Sequence, residues 1–293
     1  MKKYLNYTLV LAAAASLGAC RFGNKSDSGE HKERIVCIAK EYNEIIFELG
    51  AQQDIVGVDI SSNYPPELKN VTTVGYHRAL SAEAILACKP TLIIHDNNIG
   101  PDHVVSQLKD LKIPMKTFAD SVYNIDQAKG MIRQIGAYFH KDKQADSLCN
   151  KLDADMATAA TQAKQHTDSP KVVIIHFGQA NNVYLTMTRK NIAANIINWA
   201  GGVVPIEGQR GMLPLSAEMI ASANPDVILL TDVGYDRLGS IDKIKELPGI
   251  AGTNAAKNNR IYRVEEHDIV YLGARTGENV LKFQKLIHGN TGK

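Results

Sequence analysis

The sequence predicts an α/β protein of two Rossmann-like lobes, each built on a parallel sheet, joined by one long helix. Three observations carry this prediction. Two segments match without a gap at an offset of 135 residues: Leu80-Ser81-Ala82-Glu83 with Leu215-Ser216-Ala217-Glu218, and Pro90-Thr91-Leu92-Ile93-Ile94 with Pro225-Asp226-Val227-Ile228-Leu229. Apolar runs alternate with amphipathic stretches in both halves, the pattern of strand–helix–strand crossovers and so of parallel sheets. Between the halves, residues 141–167 contain no Pro or Gly. That stretch, rich in Ala, Lys, Gln, Asp and Leu, favours one helix of roughly 25 residues, about 37 Å long.

The elements follow in order. Arg34-Ile35-Val36-Cys37-Ile38-Ala39 and Lys171-Val172-Val173-Ile174-Ile175-His176 are apolar runs, each the first strand of its half. Each is followed by an amphipathic helix that stops at glycine, at Leu49-Gly50 and at Ala200-Gly201-Gly202. Ser81 and Ser216 sit where a hydroxyl caps a short helix, and Pro90 and Pro225 mark the turns into buried strands. Pro170 ends the connecting helix. The boundaries are thus an N-terminal lobe over 34–140, a linker helix over 141–168 and a C-terminal lobe over 169–293. A rigid link suits a clamp with small hinge motion.

The first 33 residues differ from the rest. Met1-Lys2-Lys3 precedes an apolar run over 9–19, which fits a signal peptide over 1–19 and is too short to span a membrane. Leu17-Gly18-Ala19-Cys20 is similar to the bacterial lipobox. That similarity implies an acylated Cys20 as mature N-terminus, a polar tether over 20–33, and an exported lipoprotein on the periplasmic side of a cell membrane. Lys+Arg number 33 and Asp+Glu 31, a formal charge of +2. Removing Lys2 and Lys3 leaves 31 of each and no net charge. A neutral chain lacks the basic face that a nucleic-acid binder needs. The 4 Cys and 9 His form no Cys-x-x-Cys, His-Glu-x-x-His or His-x-His, so ordinary zinc and redox motifs are absent. With Cys20 lipidated, Cys37, Cys88 and Cys149 are expected as buried thiols.

Parallel sheets place ligand sites beyond the carboxyl ends of their strands. Each repeat unit carries a loop just before its Leu-Ser-Ala-Glu helix: Val74-Gly75-Tyr76-His77-Arg78-Ala79 in the first and Gly208-Gln209-Arg210-Gly211-Met212-Leu213 in the second. Pseudo-symmetry sets these loops facing each other across a cleft.

Several of these segments carry a family resemblance. Ile55-Val56-Gly57-Val58-Asp59, Tyr64-Pro65-Pro66 and Val74-Gly75-Tyr76-His77-Arg78-Ala79-Leu80-Ser81-Ala82-Glu83 resemble the N-terminal lobe of haem-uptake ABC transporter substrate-binding proteins. Pro214-Leu215-Ser216-Ala217-Glu218, Asn224-Pro225-Asp226, Leu247-Pro248-Gly249-Ile250 and Leu272-Gly273-Ala274-Arg275-Thr276 resemble their second lobe. The resemblance runs from Arg34 to the C-terminus. Its Pro-Asp and Leu-Pro-Gly-Ile features are shared with cobalamin- and siderophore-binding relatives, whereas Val-Gly-Tyr-x-Arg-x-Leu points to haem. It implies the class III periplasmic binding protein fold with a single helical linker.

The resemblance implies that Tyr76 is the axial ligand of haem iron and that Arg78 hydrogen-bonds its oxygen. Ferric haem takes a tyrosine oxygen in catalase. A free Tyr has a pKa near 10, so ligation at neutral pH needs a metal and a nearby cation. His77 is candidate for a haem or propionate contact, and His176, ending its strand, for a second-lobe ligand. Met212 is placed against the porphyrin face. Arg210, Arg237 and Arg275 are candidates for propionates, since guanidinium binds carboxylate bidentately. Glu83 and Glu218 occupy equivalent helix starts and are implied to dock on the two subunits of a permease dimer driven by an ATPase. The expected protein is a monomeric, non-enzymatic importer component with haem as transported ligand. The alternatives are a siderophore- or corrinoid-binding protein of the same fold, and a tetrapyrrole chelatase using His77 or His176 as base.

Overall fold

The computed structural model describes residues 33–119, 121–179 and 181–289. The signal peptide, Cys20 and the tether up to residue 32 lie outside the described residues. The first half begins with β1 (Ile35–Ile38), every residue of which is buried. Four-residue apolar runs of this kind, covered on both faces, make parallel strands. α1 (Lys40–Glu48) and β2 (Ile55–Val58) follow, then the two-residue strands β3 (Gly75–Tyr76) and β4 (Ala79–Leu80). α2 (Ala82–Ala87), β5 (Leu92–His95), α3 (Asp102–Asp110), β6 (Met115–Lys116) and α4 (Ile125–Tyr138) complete the half. Its sheet has the order β2-β1-β5-β6, parallel throughout.

α5 (Asp142–Ala163) links the halves. It stops short of the expected end because His166, Thr167, Asp168 and Ser169 lead into Pro170, which disfavours helix in the residue before it. At 22 residues it is about 33 Å long.

The second half contains β7 (Val172–Gly178), β8 (Val183–Met187), α6 (Ile192–Trp199), β9 (Met212–Pro214), α7 (Ala217–Ala223) and β10 (Val227–Thr231). It continues through α8 (Asp232–Leu238), α9 (Ile241–Lys245), α10 (Asn254–Lys257), β11 (Ile261–Val264), α11 (Glu266–Val270) and α12 (Thr276–His288). The sheet order is β11-β10-β7-β8-β9. The expectation of a wholly parallel sheet is corrected here. β7, β10 and β11 are parallel, but β8 and β9 run antiparallel. β7 ends at Gly178 and β8 starts at Val183, and a link that short cannot cross over to a parallel neighbour.

The repeat is visible in its caps. The Ser81 hydroxyl accepts from Ala84 N–H and the Ser216 hydroxyl from Met219 N–H, so α2 and α7 start alike. Gly50 and Gly201 have φ of 66° and 88° just past α1 and α6, as the predicted glycine stops require. One hydrophobic core runs through both halves. It joins Ile35 and Ile94 of the first sheet to Cys149 and Leu152 of α5, Ile174 and Leu229 of the second sheet, and Phe283 of α12. Glycines allow the linker to sit this deep: a Cβ on Gly136 would lie 2.4 Å from Ala145 Cβ, and one on Gly277 2.5 Å from Asp155 Cβ. Cys37, Cys88 and Cys149 are free and buried, as expected.

Candidate functional site

A cleft of about 1180 Å³ opens where the strands of both sheets end. Lys40 and Glu41 follow β1, Asp96 follows β5, His176 lies near the end of β7, Asp232 follows β10 and Glu266 follows β11; all line it. Drug-sized ligands occupy roughly 300–1,000 Å³, so this space can take a larger molecule. Residues 76–79 and 211–212 line the same cleft, which brings together the two loops that the repeat set against each other.

Tyr76 stands on a hairpin. β3 pairs antiparallel with β4, Tyr76 opposite Ala79, so His77 and Arg78 form a two-residue turn. The turn is pinned from behind: Gly100 N–H donates to the His77 carbonyl at 2.8 Å, and Leu80 N–H to the Gly100 carbonyl at 2.9 Å. The Tyr76 ring is half-buried, 4.3 Å from the His77 ring at a tilt of 54°. Its hydroxyl has no hydrogen-bond partner among the described residues.

His77 is turned back into the protein. Its Nδ1 lies 3.3 Å from Ser61 Oγ and 3.5 Å from Asp59 Oδ2. Asp59 is buried and also accepts from the Ser62 hydroxyl. Burial alone would push the Asp59 carboxyl up, but hydrogen bonds from His77 and Ser62 outweigh it and hold it below the usual range. His77 thus anchors the hairpin to β2. Arg78 is exposed, and its Nε donates to Asn98 Oδ1 at 3.0 Å. The implied Arg78–Tyr76 bond is not made; the turn carries the guanidinium to Asn98 instead.

On the opposite wall, His176 Nδ1 lies 3.3 Å from Thr231 Oγ1 and 3.7 Å from Glu266 Oε2. Burial lowers its pKa despite Glu266, which favours the neutral ring. Met212 is half-buried at the start of β9 and lines the cleft. The arginines expected at propionates lie elsewhere. Arg210 is exposed outside the lining, its carbonyl accepting from the Thr188 hydroxyl. Arg237, also exposed, covers the Phe177 ring and donates to Asn182 Oδ1. Arg275 donates to Glu44 Oε2 at 2.9 Å and Asp268 Oδ1 at 3.2 Å and stacks 3.6 Å over Tyr64. Two carboxylates and a ring already engage that guanidinium, although its Nε is buried without a hydrogen-bond partner.

The floor of the cleft was not foreseen from the sequence. Lys40 Nζ lies 3.0 Å from Glu266 Oε1 and 4.4 Å from the Tyr271 ring centre. Burial opposes the Lys40 charge, but Tyr271 and Glu266 outweigh it and raise its pKa. Burial, helped by the neighbouring Asp96, pushes the Glu41 carboxyl up to about 8, and Glu41 Oε2 is buried without a hydrogen-bond partner. Deeper still, His267 Nε2 lies 2.5 Å from Glu44 Oε2, tying α1 to α11. One signal was available: Glu41, Asp96 and Glu266 each come directly after, or within two residues of, a predicted or apolar strand end, where ligand sites gather.

Glu83 and Glu218 are exposed in the first turns of α2 and α7, away from the cleft lining. The Ser81 hydroxyl donates to Glu83 Oε2 at 2.6 Å.

Two α/β halves around a cleft at their strand ends define a binding protein. The chain belongs to the periplasmic binding protein family, whose sequence profile matches residues 35–267. It is 27% identical over 266 residues to the uncharacterized ABC transporter substrate-binding lipoprotein YvrC of Bacillus subtilis (strain 168), covering 89% of this chain and 82% of that protein. It is 26% identical over 217 residues to the vitamin B12-binding protein of Salmonella choleraesuis (strain SC-B67), covering 74% and 77%. Among solved structures, the apo form of the periplasmic heme-binding protein RhuT from Roseiflexus sp. RS-1 superposes with a TM-score of 0.81 at 32% identity, covering 88% of this chain and 98% of that one. Among the described residues, no helix is long and apolar enough to cross a membrane.

Proposed function

We propose that this chain is the substrate-binding protein of an ABC importer and that its cargo is haem, held between the two walls of the cleft. The observation that carries the proposal is Tyr76: a cleft tyrosine on a pinned hairpin whose hydroxyl has no partner among the described residues. Ferric iron prefers an anionic oxygen of this kind. Metal coordination lowers the energy of the phenolate, and a cation beside it lowers it further. Arg78 is the cation at hand, with its terminal nitrogens unbonded among the described residues. The heme-binding RhuT supports the assignment. On the other wall, His176 is neutral and its Nδ1 is held by Thr231, which leaves Nε2 for the iron or its bound water.

Export, acylation at Cys20 and docking of Glu83 and Glu218 on a permease dimer complete this proposal. The test is a titration of the apo-protein with ferric haem, repeated for Tyr76→Phe. A saturable spectrum with a tyrosinate charge-transfer band, lost in the variant, is the expected outcome. Unchanged binding by the variant would overturn Tyr76 as ligand.

A second reading has a specific support. The B12-binding relatives and the aromatic side chains of Tyr42, Tyr123, Phe177 and Tyr271 in the lining suit a corrinoid. Cobalamin saturating the cleft where ferric haem gives no spectrum would decide for it.

A further inference from the structure

We propose that His166, Asp168 and His288 form a binding site for a divalent transition-metal ion, separate from the cleft. His166 and Asp168 lie between α5 and β7, and His288 ends α12. Their nitrogen and oxygen donors all lie within 4.8 Å of one another. The site is near the amino end of β7, whereas His176 faces the cleft near the carboxyl end, with roughly 13 Å of strand between.

The hydrogen bonding of His288 is the main argument. Its Nε2 lies 3.1 Å from the Ala200 carbonyl, which can only accept, so that nitrogen carries the proton. In the neutral ring Nδ1 is then a lone pair, yet it faces Asp168 Oδ1 at 3.0 Å. Two acceptors at that distance need either a second ring proton or a metal ion between them. A backbone carbonyl that takes the N–H of one ring nitrogen fixes the tautomer and leaves the other nitrogen as the one able to ligate, as in metal-binding histidines.

His166 supplies a second imidazole at the same place. Its ring stacks on His288 with centroids 3.7 Å apart and planes 9° from parallel. Lone pairs lie in the ring planes, so the exposed His166 ring must turn out of this stack for both rings to ligate one ion. His288 is seated firmly, its side chain only 2% exposed. The seat depends on Gly201, where a Cβ would lie 2.8 Å from His288 Nε2. Tetrahedral zinc holds nitrogen and oxygen donors at about 2.0–2.2 Å, and so about 3.3–3.5 Å from each other. The exposed His166 and Asp168 reach that spacing by side-chain rotation. Two imidazoles and one carboxylate favour zinc, nickel, copper or cobalt over magnesium or calcium. Three protein ligands leave a position for water.

The test uses metal-stripped protein titrated with Co²⁺, followed by visible absorption, with Zn²⁺ calorimetry as the second readout. The expected result is one equivalent of each ion per chain. His166→Ala and Asp168→Asn should each bind at least about tenfold more weakly, with an unchanged ferric haem titration. Both side chains are exposed, so an unchanged melting temperature will separate ligand loss from misfolding. Absence of Co²⁺ binding by the wild type, or equal binding by wild type and both variants, would show that a second proton on His288 bridges to Asp168 and would overturn the site.

Discussion

The loops before α2 and α7 stand at matching places in the repeat and have different fates. The first folds on itself: Tyr76 pairs with Ala79, and His77 is bound down to Ser61 and Asp59. The second joins the edge of its sheet, with Met212 opposite Met187 and Leu213 opposite Thr186. The helices that follow are nevertheless capped alike, by Ser81 and Ser216. The repeated parts are those that build the scaffold, and the unrepeated parts are those that line the cleft. A ligand gripped in this cleft therefore meets an oxygen donor on one wall and a thioether with a neutral imidazole on the other.

That contrast can be broken by mutation. The largest effect is expected where the halves should act as equals. Replacing Glu83 and Glu218 together by Ala should abolish uptake in a transport assay while sparing haem binding, because the proposed docking uses one charge from each half. Surviving transport would place docking elsewhere. The walls come next and should behave unequally. Tyr76→Phe should cost more than the roughly 10–100-fold typical of losing an outer-shell partner, whereas Met212→Leu, which keeps volume and apolarity, should change haem affinity only slightly. Equal losses in a spectroscopic titration would erase the distinction.

The floor gives a pH effect of middle size. The Glu41 carboxyl, ordinarily near 4.5, is raised to about 8 by burial and by Asp96. Between those values the folded protein holds a proton that the unfolded chain has released, so this group makes stability fall as pH rises through that window. Glu41→Gln should remove the fall, leaving the variant more stable than wild type near pH 8. Urea midpoints measured from pH 5 to 9 check it. The smallest effect tests the scaffold. Ser81→Ala and Ser216→Ala should each cost about 1 kcal/mol of stability, equally, and a clear inequality in denaturant midpoints would mean that the caps are not equivalent.

Local signals explain what the sequence revealed. The first strand of each half, the serine caps and the glycine stops are each written in a few adjacent residues, and all fall where expected. The rule that ligands gather at strand carboxyl ends located the cleft. Contacts between distant residues stayed hidden. Glu44 meets His267 across 223 positions and Arg275 across 231. Nothing in the pattern around Arg275 says that its guanidinium faces Glu44 and Asp268 and not the cargo. The antiparallel β8–β9 pair stayed hidden because alternating apolar and amphipathic stretches read the same whether the next strand crosses over or returns. Arg78 was assigned from a motif that fixes its position along the chain, while its direction is set by Asn98, twenty residues on.

The close seating of α5 has a thermal consequence. Gly136 and Gly277 let α4 and α12 press on the linker so tightly that its side chains belong to the same core as both sheets. Neither sheet can melt without exposing the interior of the other. Calorimetry should show one endotherm whose van't Hoff and measured enthalpies agree, and two resolved peaks would mean that α5 is a true joint. Two copies of one motif are, to heat, a single body.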